Sequence, residues 1–73
     1  MPDRWEREAE ETIVLKRRGK IVGRIELGTN QWTMWNPRLS STPEKYPSGD
    51  ASGIEASLSE AKRAVEEELE LNA

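Results

Sequence analysis

Cysteine, histidine and phenylalanine are all missing from the 73 residues. Without cysteine there is no disulfide, no thiolate zinc site and no thiol nucleophile. Without histidine the commonest general base and the commonest protein metal ligand are gone as well. Hydrophobic residues make up only 34% of the chain, no more than its charged residues. A core built from so few large side chains sits near the lower limit for a chain that folds alone. A homodimer is therefore expected. No apolar run is long enough to span a bilayer, and the start, Met1-Pro2-Asp3-Arg4-Trp5-Glu6, is too charged for a secretory leader. The expectation is a cytoplasmic protein with no membrane partner.

The strongest local signal lies over residues 57–71. Leu58, Ala61, Val65 and Leu69 recur at helical spacing and fall on one face. Ser57 followed three residues later by Glu60 has the spacing of a capping box. This helix is the body expected to cover the β-patterned runs that precede it.

Residues 12–35 read as three short strands. Thr12-Ile13-Val14-Leu15-Lys16 is β-branched. Arg17-Arg18-Gly19-Lys20 supplies a turn, with Gly19 free to take positive φ. From Ile21 to Leu27 the residues alternate, with Ile21, Gly23, Ile25 and Leu27 on one side and Val22, Arg24 and Glu26 on the other. Gly28-Thr29-Asn30 is the next turn, and Gln31-Trp32-Thr33-Met34-Trp35 the third strand. Short connections join antiparallel neighbours, so a meander is expected.

The flanks carry weaker patterns. Residues 3–11 are expected as a short helix or a solvated arm, with Asp3 and Glu6 at cap spacing. Residues 36–56 are rich in proline, glycine and serine and read as one long loop, anchored by Leu39, Tyr46 and Ile54. The predicted fold is α+β and a single domain: a three-stranded antiparallel meander packed on one C-terminal helix. Val14, Val22 and Trp35 are then expected on the open face of the sheet.

Charge is split along the chain. Lys16, Arg17, Arg18, Lys20 and Arg24 fall within a stretch that holds no acid, while Glu6, Glu8, Glu10 and Glu11 crowd one end and Glu66, Glu67, Glu68 and Glu70 the other. Acids at a helix C-terminus oppose the helix dipole. Lys62–Glu66 and Arg63–Glu67 pairs offset part of this, and the basic hairpin is a further candidate partner.

The stretch Gly53-Ile54-Glu55-Ala56-Ser57-Leu58-Ser59-Glu60-Ala61-Lys62-Arg63-Ala64 resembles the second-helix signature of the double-stranded-RNA-binding domain. Ser57, Glu60, Ala61, Lys62 and Ala64 fit it. Leu58 and Ser59 stand where that family has its two leading lysines. The resemblance implies a sheet backed by a helix and carries over one phosphate contact, Lys62. With the Trp-rich third strand, the same stretch is also similar to small phage and bacterial proteins that include anti-CRISPR inhibitors of host defence. That likeness implies a short, acidic, non-enzymatic inhibitor.

The chemistry is limited accordingly. The carboxylates cluster on solvated faces, and no nucleophile–base constellation, phosphate-cradling loop or metal-ligand spacing occurs. No enzyme, metal or cofactor is expected. Two binding roles remain. The first is a protein-binding inhibitor of a host nucleic-acid-handling complex, with Arg17, Arg18, Lys20, Arg24 and Trp35 as contacts and Glu67 and Glu70 presenting mimicked charge. The alternative is an RNA or DNA binder in which Lys16, Arg17, Arg18, Lys20 and Lys62 meet phosphates and Trp32 stacks on a base.

Overall fold

A computed structural model describes residues 4–39 and 42–71. The chain forms strands β1 (Arg4–Ala9), β2 (Thr12–Arg17), β3 (Lys20–Glu26), β4 (Gln31–Met34) and β5 (Ala51–Ile54), a single 3₁₀ turn at Pro37–Leu39, and helix α1 (Leu58–Leu71). The strands lie in sequence order in one sheet, every neighbouring pair antiparallel. The α+β class is as expected, but the sheet has five strands where the sequence predicts three.

The first added strand replaces the helix expected over residues 3–11, of which Asp3 lies outside the described residues. Arg4, Glu6 and Ala9 are poor strand formers in isolation. Pairing with β2 overrides that preference, with Trp5 opposite Leu15 and Glu6 opposite Val14. Trp5 then packs at the edge of the core, and Glu6 and Glu8 reach cations across the sheet.

The second added strand shortens the loop expected over residues 36–56 to residues 36–50. β5 is only Ala51-Ser52-Gly53-Ile54, a composition that carries little strand signal. Its glycine has a contact reason: a Cβ at Gly53 would lie 2.9 Å from the Trp32 indole nitrogen.

Between these edges the sequence expectations hold closely. β2 and β3 are joined by a tight turn with positive φ at both Arg18 (54°) and Gly19 (80°), the geometry of a two-residue hairpin. A bulge then departs from simple alternation: Leu15 pairs with Gly23 and Lys16 with Ile21, leaving Val22 as the extra residue. Val22 is thereby brought into the helix-side core rather than onto the open face.

Helix α1 buries the predicted stripe. Ala61, Val65 and Leu69 join Leu15, Ile25, Trp32 and Met34 in one cluster, and Leu58 packs against it. The Ser57 hydroxyl accepts the Glu60 N–H at 3.3 Å, so the cap forms where its spacing places it.

The opposite face does not leave its apolar residues open. Val14 and Trp35 are each 1% exposed, although they lie outside the helix-facing cluster. Residues 36–39 and 42–50 fold back over that side. The Trp35 indole donates to the Tyr46 carbonyl, the Asn36 N–H to Asp50 at 2.6 Å, and the Asp50 N–H to the Met34 carbonyl at 2.7 Å. Leu39, Tyr46 and Ile54, the anchors expected from sequence, are instead exposed. The loop is held by main-chain groups bonded to the Trp35 indole and the Asp50 carboxylate, which no apolar pattern reports.

Candidate functional site

Two cations of the basic hairpin are committed to the chain's own acids. Lys16 Nζ lies 3.4 Å from Glu6, and Arg24 donates to Glu8 at 2.8 Å. These partners come from β1, not from the acidic helix. Arg17, at the end of β2, also has a partner. Arg18 and Lys20 are exposed at the turn and form no ion pair among the described residues. The five cations of the expected patch thus separate into a paired base and a projecting tip.

Beside that tip is a half-open cleft of about 560 Å³. Ile21, Val22, Pro37 and Pro43 give it apolar walls, and Lys16, Lys20 and Glu44 bring charge. Ile21 enters the lining beside the bulge, where it pairs with Lys16, and Val22 contributes to the same wall although it is almost wholly buried in the core. Sequence alternation alone puts Ile21 in the core, so the cleft was not legible from it.

The remaining predicted contacts are scattered. Trp35 is buried and offers no exposed ring, which removes the interface anchor expected there. Trp32 is 6% exposed and its indole donates to Glu55 at 3.0 Å, so it has no free face for a base. Lys62 lies over the Trp5 ring at 5.9 Å, and the Trp5 indole donates to Glu66 at 3.0 Å. Glu67 pairs with Arg63 at 3.3 Å. Glu67 and Glu70 line a separate shallow depression with Leu71, which shares no lining residue with the cleft.

Among the described residues no group of three or more acids is placed to hold a metal ion, and no helix is long and apolar enough to cross a membrane. Comparison with protein-family models, with curated proteins and with solved structures finds no match. The two resemblances stated above therefore stand on their quoted residues alone.

Proposed function

We propose that this chain is a non-catalytic protein-binding module, acting in the cytoplasm, and that the cleft beside the β2–β3 turn is its binding site. One observation carries the reading: an apolar-walled cleft is lined by Lys20, which forms no ion pair among the described residues, and Arg18, likewise without an ion pair, adjoins its lining residue Gly19. Such a site suits a partner segment that inserts an apolar side chain flanked by acids. Arg17 and Arg24, already engaged within the chain, shape the hairpin more than they reach outward.

The wider setting we favour is a phage or mobile-element inhibitor that occupies a host nucleic-acid-handling complex. Split charge and the lack of histidine and cysteine support it. The nucleic-acid alternative loses its stacking residue with the burial of Trp32 and one phosphate contact with the pairing of Lys16.

Fluorescence polarisation with short labelled peptides tests the cleft. A peptide carrying a leucine between acidic residues is expected to bind, and one with basic residues in their place is not. Lys20→Glu should abolish binding with the fold intact. Equal binding of both peptides, or binding untouched by Lys20→Glu, overturns the site. A gel shift at low salt with micromolar protein, where phosphate contacts are strongest, would instead favour the nucleic-acid reading.

A further inference from the structure

The two edges of the sheet are built differently. β1 carries Arg4, Glu6, Arg7 and Glu8 and has a bulge between Arg7 and Ala9. Charges and bulges on an outer strand deter the addition of another strand. β5 has none of these devices: Ala51-Ser52-Gly53-Ile54 contains no charge and no proline, and its register against β4 is unbroken. The two acids that flank it are turned to the chain's own use. Asp50 accepts the Asn36 N–H at 2.6 Å, and Glu55 accepts the Trp32 indole N–H at 3.0 Å.

The direction of the free main-chain groups follows from two bonds on either side of β4. The Trp35 N–H donates to the Val22 carbonyl at 2.9 Å, toward β3, and the Glu55 N–H donates to the Asn30 carbonyl at 3.2 Å, toward β4. Alternation then turns the main-chain groups of Trp32 and Met34 toward β5, those of their partners Gly53 and Ala51 toward β4, and the N–H and C=O groups of Ser52 and Ile54 away from β4. The Asp50 N–H, which also reaches the Met34 carbonyl, lies ahead of the strand and outside this alternation. Ser52 and Ile54 are both exposed, Ile54 to 69%.

We propose that β5 is the interface of a homodimer, in which two copies pair edge to edge about a two-fold axis at Gly53. In that register Ser52 of each copy exchanges both main-chain hydrogen bonds with Ile54 of the other, so the edge is its own complement. Asp50 then stands opposite Ala56, and Glu55 opposite Ala51, so no acid faces an acid. The self-match in hydrogen bonding and charge makes a second copy the occupant. A pairing this short gives a small interface, and association is concentration-dependent. The inference rests on the edge and is independent of the cleft.

Sedimentation of the full chain from micromolar to millimolar concentration tests it, together with hydrogen exchange at both extremes. The mass should rise toward that of two chains, and exchange at Ser52 and Ile54 should slow several-fold. Ser52→Pro removes an outward N–H while sparing the bonds to β4. Ile54→Lys adds a charge at an exposed position. Both variants should remain monomeric throughout with an unchanged circular dichroism spectrum, and Lys20→Glu should dimerise normally. A wild-type chain that is monomeric at millimolar concentration overturns the proposal. So does a dimer that leaves Ser52 and Ile54 unprotected or persists in Ile54→Lys, which decides the matter if Ser52→Pro fails to fold.

Discussion

The indole N–H of Trp35 donates to the main-chain carbonyl of Tyr46, and this bond fastens the loop against the face of the sheet that α1 does not cover. Trp35 is 1% exposed, so it belongs to the interior. Truncating a buried tryptophan costs about 3–5 kcal/mol, and a chain of this length has little stability to spare. Trp35→Ala should therefore be largely unfolded at 25 °C by circular dichroism, rather than folded with an altered surface. Trp35→Phe retains most of the ring and loses the bond. It should fold with a stability loss of about 1–2 kcal/mol in urea titration.

Gly49 holds the far end of the same loop. Its φ is +72°, and a Cβ there would clash with Thr33 Cγ2 and lie 2.8 Å from the Met34 carbonyl oxygen. The backbone conformation and the contact both exclude a side chain. Gly49→Ala should cost about 1–3 kcal/mol. The loosening should show first as faster hydrogen exchange at Asp50, whose N–H is bonded to Met34. Unchanged exchange there would mean the loop is not held at Gly49.

The parts that were legible in the sequence share a physical character. Leu58, Ala61, Val65 and Leu69 announce their helix by spacing alone, and the Arg18-Gly19 turn and the strands on either side of it are equally local. What sequence reading missed is non-local. β1 is a strand only because β2 lies beside it, and β5 only because Gly53 lets the backbone approach Trp32. The seal over Trp35 uses main-chain carbonyls and one aspartate, which no apolar pattern reports. Candidate site residues fared by the same rule. Exposure of Arg18 and Lys20 follows from a turn that can be read, whereas burial of Trp35 follows from a loop path that cannot.

Gly23 and Val65 set how closely the helix approaches the sheet. A Cβ at Gly23 would fall 2.6 Å from Val65 Cγ1, and Val65 is fully buried. A β-branched side chain has little freedom to move aside. Gly23→Ala should destabilise by about 1–3 kcal/mol through overpacking. Val65→Ala empties the same space, so the double variant should be more stable than the sum of the two losses predicts. A coupling of at least about 1 kcal/mol in a double-mutant cycle is expected, and additivity would show that the helix simply shifts outward.

Two kinds of interaction fasten β1, and their weights differ. The Glu6–Lys16 and Glu8–Arg24 pairs keep side chains more than a third exposed. Pairs of that kind contribute about 0.2–1 kcal/mol and are screened by salt. Trp5 is half-buried against the core, with Lys62 over its ring and Glu66 accepting its indole N–H. Burying part of an indole outweighs either ion pair. Trp5→Ala should therefore release β1, seen as rapid hydrogen exchange from Arg4 to Ala9 with α1 still protected. Replacing Glu6 and Glu8 together by glutamine should leave that exchange within a few-fold of wild type, and raising salt should do the same. If the double glutamine variant frees β1 as fully as Trp5→Ala does, charge pairing rather than indole burial holds the first strand in register.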